Sequence, residues 1–290
     1  MTKKHACKIC GSIAQPIGSR NGKLDGRTYE FVQCNNCHFS FVTNFRDDYA
    51  EIYNENYYAG CGADPMADYI HEYKNPLITI RNYEWQGAIK IYRKLCPENG
   101  KWLDFGCGSG GLVRYAKNRG IDIVGFDEGW AASLGREDGT QILTASELSE
   151  TEGMFDFCSA IEVFEHIADP LAAFRQIRRV LKPGGILFLT TGNAKPWRSN
   201  LLNWGYTSCP DVHISFYEPE TLELCMRESG FLPKRIDNFD LYSDIIKFKI
   251  LKNIGLKNKK LLIDALPWRI ISKMVDLRYQ VSAQPYGVAI

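Results

Sequence analysis

The 290-residue chain has no apolar run approaching the ~18–20 residues of a membrane-spanning helix, which excludes a helical span. Its start, Met1-Thr2-Lys3-Lys4-His5-Ala6-Cys7, lacks the apolar stretch of a secretory signal. A cytoplasmic location is therefore expected, where thiols stay reduced. Charge of one sign is not in excess either. The balance of 35 Lys+Arg against 34 Asp+Glu leaves +1, which argues against a strongly basic nucleic-acid binder and a supercharged tail. Apolar content is not short: 45% hydrophobic and 24% charged residues exclude wholesale disorder. The length suits one core domain of about 200 residues with attachments.

The small sum hides an uneven distribution. Residues 1–46 hold 7 basic and 2 acidic side chains (+5), and residues 47–99 hold 5 and 9 (−4). Residues 100–240 hold 14 and 20 (−6), and residues 241–290 hold 9 and 3 (+6). Two basic ends flanking an acidic middle predict separate modules: a ribbon over 1–46, a helical linker or lid over 47–99, and a core over 100–290.

Disulfides are not expected of the 10 cysteines in a reducing compartment, which leaves metal binding as the question. Cys7-Lys-Ile-Cys10-Gly11 and Cys34-Asn-Asn-Cys37 are two CxxC pairs separated by 23 residues. A CxxC turn presents two sulfurs from one tight knuckle, and four thiolates satisfy tetrahedral zinc. Asn21-Gly22 and Asp25-Gly26 mark turns, and Tyr29–Gln33 alternates like a strand. A module this small gains its folding energy from the metal, so Cys7, Cys10, Cys34 and Cys37 are read as a structural zinc ribbon. Four free thiols, or haem attachment at Cys34-x-x-Cys37-His38, are the alternatives. Cys61, Cys96, Cys107, Cys158, Cys209 and Cys225 stand alone and are expected to be small buried residues.

The linker is rich in tyrosine and acid. Met66 to Leu95 carries an imperfect helical stripe, ended by Pro97 and Gly100. Its helices either pack on the core with tyrosines half buried or close over a ligand. From Lys101 onward strand and helix alternate, which predicts a parallel sheet with ligands at the carboxyl ends of its strands. Lys101–Phe105 and Ile121–Phe126 read as the first two strands, and Met154–Ala160 and Gly185–Thr190 as later ones. Asp169-Pro170 is a helix start, with Asp as cap.

Gly106, Gly108 and Gly111 fit G-x-G-x-x-G. Asp104, two residues before that loop, disfavours a pyrophosphate and suits a ligand carrying an amine. That points away from a nicotinamide dinucleotide and toward S-adenosylmethionine, which has an ammonium and a sulfonium but no phosphate. Asp127, at a strand end 17 residues past Gly110, is positioned for ribose hydroxyls.

Leu103-Asp-Phe-Gly-Cys-Gly-Ser-Gly110, Asp127, Glu162-Val-Phe-Glu-His166-Ile-Ala-Asp-Pro170 and Leu181-Lys-Pro-Gly-Gly185 together resemble class I S-adenosylmethionine-dependent methyltransferases. The two CxxC pairs followed by Tyr53-Asn-Glu-Asn-Tyr57-Tyr58 are similar to the subgroup with an N-terminal zinc ribbon, which includes sugar-nucleotide C-methyltransferases. The resemblance implies an α/β Rossmann-like sheet of seven strands whose last is antiparallel, here Tyr279–Tyr286 onward, with Pro285 at an edge or bulge. It implies cofactor contacts at Tyr58, Asp104, Gly106, Cys107, Gly108, Gly110, Asp127, Ile161, Glu162 and His166, and an adenine site near Ala145, Ser146 and Glu147. The sugar enzymes' aromatic–acid–histidine cluster falls at Asp211-Val-His213-Ile-Ser-Phe-Tyr217. His213 matches it, whereas Asp211 and Tyr217 are neighbours, so O-, N- and C-methylation all stay open.

An alcohol or carbon acid needs a base, and His213 is the first candidate, with Asp211 and Tyr217 beside it. The expected acceptor is a small molecule: a sugar, sugar nucleotide or pathway intermediate carried on a nucleotide or lipid. An RNA methyltransferase with a zinc ribbon is the alternative, disfavoured by the acidic core. Residues 245–260 interleave lysine and apolar side chains, predicting a helical insertion over about 243–278. Its lysines form either a solvated face or a peripheral membrane contact.

Overall fold

The computed structural model describes residues 5–64, 68–96, 99–236, 238–279 and 286–289. The N-terminal strands β1 (His5–Ala6), β2 (Ile13–Asn21), β3 (Thr28–Cys34) and β4 (Ser40–Val42) pair antiparallel in chain order. Short helices α1 (Tyr49–Ile52), α2 (Glu55–Tyr58) and α3 (Tyr69–Lys74) then lead into the longer α4 (Arg81–Leu95). The single helical stripe expected from Met66 to Leu95 is broken around Pro76, where a residue preceding proline is driven out of the helical region. Met66 and Pro97 themselves lie outside the described residues.

The core alternates as the sequence predicts. Strands β5 (Trp102–Phe105), β6 (Ile123–Phe126), β7 (Ile142–Leu143), β8 (Phe155–Ile161) and β9 (Leu181–Thr190) are linked by α5 (Gly111–Lys117), α6 (Trp130–Glu137), α7 (Ala145–Glu150) and α8 (Pro170–Val180). Asp169 caps α8 by accepting from Ala172 N at 3.0 Å. Strand β10 (Ser215–Phe216) leaves the core and pairs antiparallel with β4, so the ribbon sheet is completed by a core segment. Helix α9 (Pro219–Glu228) and β11 (Leu232–Arg235) follow, then α10 (Phe239–Asn253), α11 (Leu261–Asp264), α12 (Trp268–Tyr279) and β12 (Tyr286–Ala289).

The larger sheet has seven strands in the order β11-β12-β9-β8-β5-β6-β7. β12 runs antiparallel to both neighbours and the rest pair in parallel, as expected. The last strand starts at Tyr286 rather than Tyr279, which ends α12, and Pro285 lies outside the described residues.

Trp102 is fully buried at the centre of this sheet. It stacks on Tyr92 of α4 at 4.9 Å and meets Phe157 of β8 edge-on at 5.2 Å, which fixes the linker helix against one face. α10 packs on α4 where Gly87 gives room: a Cβ there would stand 2.6 Å from Ile245 Cγ1. Ribbon residues Cys7, Ile9, Val32, Phe39 and Phe41 share one buried cluster with core residues such as Leu103, Phe174 and Leu222. The ribbon is thus continuous with the core. Among the described residues no helix is long and apolar enough to cross a membrane.

Candidate active site

The carboxyl ends of β5, β6 and β8 and the residues just past β9 open on a cleft of about 2030 Å³. Small-ligand pockets commonly measure ~300–1,000 Å³, so this one has room for two ligands side by side. One wall is the glycine loop after β5. Gly106 and Gly110 have φ of +80° and +77°, and Cβ atoms there would meet Val163 at 2.4 Å and Thr140 at 2.6 Å. Those two glycines serve packing. At Gly108 (φ +54°) a Cβ would meet only ring atoms of Tyr69 and Tyr58, at 3.9 and 4.0 Å, so its backbone is left open to a ligand.

Asp127, just past β6, accepts from Gly108 N (2.9 Å) and Gly129 N (2.7 Å). Each oxygen keeps a lone pair for a further donor. Asp104 lies inside β5. Burial pushes its carboxyl up to about 7, even though Ser159 Oγ donates to it at 2.6 Å. A carboxylate so desolvated gains strongly from a ligand cation.

The linker supplies a group that sequence reading missed. Arg81, at the start of α4, is buried and pairs through Nε with Glu72 (2.9 Å) and through Nη1 with Glu84 (2.7 Å). Its Nη2 and Glu84 Oε1 are buried with no hydrogen-bond partner, and both residues line the cleft. An orphaned cation donor beside an orphaned carboxylate oxygen matches the two ends of an amino-acid zwitterion.

Farther along the cleft, His166 and His213 line its wall, and the buried Glu165 behind them brings a ligating atom within 4.8 Å of theirs. His213 Nδ1 is 2.9 Å from Tyr206 O, a carbonyl that only accepts, so Nδ1 carries the proton and Nε2 the lone pair. His166 Nδ1 donates likewise to Val212 O (2.9 Å), with Tyr53 Oη 3.0 Å away. Burial lowers both imidazoles, His166 to about 3, where His213 nearby adds to the effect. Burial and the charge of Glu162 push Glu165 up to about 8, although Tyr206 Oη and Thr191 Oγ1 donate to it. Glu162 is desolvated too, but Lys249 of α10, 3.0 Å away, overrides burial and holds it at about 2. Glu162 also takes a left-handed φ of 55°, a strained conformation of the kind found at functional sites.

Of the cofactor positions, Tyr58, Asp104, Gly106, Cys107, Gly108, Asp127, Ile161, Glu162 and His166 line the cleft, as does His213. Gly110 and the adenine positions Ala145, Ser146 and Glu147 do not, nor do Asp211 and Tyr217 beside His213. Gly110 lies behind the loop against Thr140. Ser146 is exposed on α7, where the Thr144–Glu147 capping box turns the helix start outward, and Trp130 and Ser133 line the cleft near Asp127 instead. Asp211 accepts from Lys23 N (2.8 Å) and Leu24 N (3.2 Å), pinning the ribbon's hairpin tip. Tyr217 is buried between ribbon and core, 5.1 Å from the Phe39 ring and donating to Phe164 O at 3.1 Å. Neither residue can touch an acceptor from there. The lone cysteines are also uneven: Cys158, Cys209 and Cys225 are buried, but Cys61 is exposed.

Cys7, Cys10, Cys34 and Cys37 place their sulfurs within 4.8 Å of one another. Cys7–Cys37 and Cys10–Cys34 are each 3.5 Å apart, close to the ~3.8 Å edge of a tetrahedron with metal–sulfur bonds of about 2.3 Å. The two knuckles are built alike. Gly11 N donates to Cys7 O and His38 N to Cys34 O, and Gly11 and His38 both have left-handed φ (70° and 60°). Ile9 N and Asn36 N each point at the first sulfur of their pair at 3.4 Å, which favours thiolate. The donor set therefore fits a four-coordinate structural metal with no open position.

Residues 69–232 match the family described as methyltransferase domain. The chain is 38% identical over 106 residues to a ubiquinone biosynthesis O-methyltransferase of Pseudomonas aeruginosa, covering 33% of this chain and 46% of the relative. A protein of the same name from Aeromonas salmonicida is 29% identical over 157 residues, 46% of this chain and 66% of its own length. The chain thus spans about half the length of the first of these relatives. Among solved structures, the complex of the Haloferax volcanii Trm112 methyltransferase activator with a methyltransferase is similar at TM-score 0.51 and 16% identity. That likeness covers 78% of this chain and 95% of that chain, and shows the fold.

Proposed function

The chain belongs to a family of S-adenosylmethionine-dependent methyltransferases, and from that membership we propose that it methylates a hydroxyl of a small acceptor held beside His213. The observation that carries this reading is the neutral His213. Its Nδ1 proton is committed to a backbone carbonyl, which leaves Nε2 as a proton acceptor in the cleft.

S-adenosylmethionine supplies an electrophilic methyl on a good leaving group, and the chain's own residues fit its parts. Asp127 would take the ribose hydroxyls, and Gly108 would let the backbone approach closely. Asp104 and Glu84 would meet the ammonium, and the free Nη2 of Arg81 the carboxylate. Cys7, Cys10, Cys34 and Cys37 would hold a structural zinc, which four thiolates saturate.

The protein's tasks are then to orient the acceptor, exclude water and remove its proton. Burial keeps His213 unprotonated at neutral pH, so its Nε2 is free to take the hydroxyl proton. Burial and the neighbouring His213 both weaken His166 as a base, so it serves better to orient the acceptor. The name O-methyltransferase borne by the similar curated enzymes favours oxygen as the methylated atom, and a sugar hydroxyl meets the same requirement as any other alcohol.

Calorimetric titration with S-adenosylmethionine tests the reading at its base. Wild type is expected to bind, and Gly108→Val, whose side chain would fill the cradle, is expected not to. An absence of binding by wild type refutes the reading.

A further inference from the structure

The C-terminal helices carry an apolar face that no described residue covers. α12 turns Ser272 into the protein, and Trp268 joins Ile80, Tyr83, Phe248 and Leu251 in a buried cluster. On its other side Ile270, Met274 and Leu277, spaced four and then three residues apart, are 62%, 66% and 69% exposed. Leu261 and Leu262 of α11 are 88% and 86% exposed, and Ile254, just past α10, is 66% exposed. Single exposed leucines need no explanation, but these six large apolar side chains, all exposed between residues 254 and 277, call for a partner.

Residues 254–277 carry five Lys+Arg against two Asp, net +3, reduced to +1 when Asp68 and Asp240, the partners of Lys257 and Arg269, are counted. Lys257, Lys260, Arg269 and Lys273 are exposed there. Lys257 and Arg269 pair with Asp68 and Asp240, Lys273 lies over the Phe239 ring, and Lys260 extends into solvent. The two acids of the stretch turn inward: Asp264 is held by Tyr83 and Lys247, and Asp276 accepts from Tyr242. Lys247 and Lys249 also point into the protein, toward Asp264 and Glu162. An outward face therefore starts at Ile254, not at residue 245.

We propose that this face, from Ile254 to Leu277, seats the protein on an anionic lipid bilayer. Exposed leucines ringed by lysine and arginine match the apolar boundary and negative head groups of such a surface. A second copy matches it less well, because a two-fold contact sets the same cations against themselves. The face begins where the cleft wall ends, since Phe248, Lys249, Lys252 and Asn253 of α10 line the cleft and Ile254 follows them. Docking there brings the cleft to the bilayer, so the acceptor is an amphiphile with its hydroxylated head presented from the membrane. That last step rests on the methyl-transfer reading; the docking itself does not.

Flotation of the full chain is the test, with vesicles of phosphatidylcholine alone and with about one-third phosphatidylglycerol, at about 0.1 M salt. Wild type is expected to float with the anionic vesicles and at least about tenfold less with the neutral ones. The double substitution Leu261→Asp/Leu262→Asp, and separately Ile270→Asp, are expected to lose that binding while S-adenosylmethionine affinity stays at the wild-type value. Wild type left behind by both vesicle types overturns the proposal, as do variants that float like wild type. So does a wild-type dimer that the substitutions dissociate without any vesicle binding. Vesicle binding by a protein that does not bind S-adenosylmethionine would leave the docking intact and sink the methyl-transfer reading alone.

Discussion

Replacing His213 with Asn puts an amide donor near the Tyr206 carbonyl but removes the group that takes a proton at neutral pH. General-base catalysis contributes ~10²–10⁴-fold, or about 2.7–5.4 kcal/mol of barrier at ~1.36 kcal/mol per tenfold. The structural cost is smaller. The imidazole stacks on the Tyr206 ring at 4.3 Å, a contact of ~0.5–1.5 kcal/mol, which lowers the melting temperature by only a few degrees. A turnover loss far beyond that melting shift is therefore chemical. The assay is S-adenosylhomocysteine formation against pH. The neutral form is the active one, and burial lowers the folded pKa below the ordinary value of 6.5. With S-adenosylmethionine saturating, so that Asp104, itself raised to about 7, stays paired with the ammonium, the wild-type kcat/KM for the acceptor is expected to be flat through neutrality and to fall as pH drops through that lowered value, below 6.5. The Asn variant loses at least ~10² in kcat and loses this acid limb, while S-adenosylmethionine binds as in wild type. Turnover within tenfold of wild type, or an acid limb that survives the substitution, refutes the assignment.

Asp127→Ala is expected to weaken S-adenosylmethionine by about 10–10²-fold in calorimetry, from the loss of charge-assisted bonds worth ~1.5–3 kcal/mol, and wild-type affinity would remove the ribose role. Gly108→Ala and Gly110→Ala are expected to fail differently. At Gly108 the methyl enters open cleft, so cofactor affinity falls and the fold survives; at Gly110 it meets Thr140 at 2.6 Å, so thermal stability falls first. Melting curves with and without cofactor separate the two. Elemental analysis is expected to find one zinc per chain in wild type and none in Cys10→Ser, and that variant or a strong chelator should lower both melting temperature and turnover. A metal-free protein of unchanged stability would refute the ribbon's role.

The sheet and the glycine loop were legible because their signals are local. Strand and helix alternate in elements of two to eleven residues, and Asp104, Gly108 and Asp127 stand in or just past the carboxyl ends of β5 and β6, positions that the chain order alone defines. The linker's contribution was not legible. Arg81 and Glu84 read as an ordinary i, i+3 pair on a helix surface, and only the packing of α10 and α3 over them turns that pair inward. A usable signal was present: both charges sit in a helix where Tyr83, Trp85, Ala88 and Ile89 claim the buried positions around them. Asp211 and Tyr217 were placed by closeness to His213 in sequence. The chain there is extended or turning, so neighbours of His213 point to different surroundings. The basic segment misled in the same way, because lysine count does not say which lysines turn inward.

The ribbon's bearing on the chemistry follows from what holds His213. The segment carrying it has no long element of its own, only the two-residue strand β10. It is fixed from both sides. On the core side Ile214 N donates to Glu165 O at 2.8 Å and Ser215 Oγ to Ile167 O at 2.7 Å. On the ribbon side Val42 N donates to Ile214 O, β10 pairs with β4, and Asp211 grips the hairpin tip through Lys23 N and Leu24 N. Thr221 Oγ1 then donates to Cys37 O, which ties α9 to the second knuckle. A base must sit within about an ångström of its working position, and a short segment gains that order from neighbours on both flanks. Four thiolates leave a metal no part in the reaction, yet through β4 and β10 they set where His213 stands. Loss of the metal is therefore expected to raise the acceptor's KM and lower kcat before it affects S-adenosylmethionine, whose proposed contacts at Asp104, Gly108 and Asp127 belong to the other sheet.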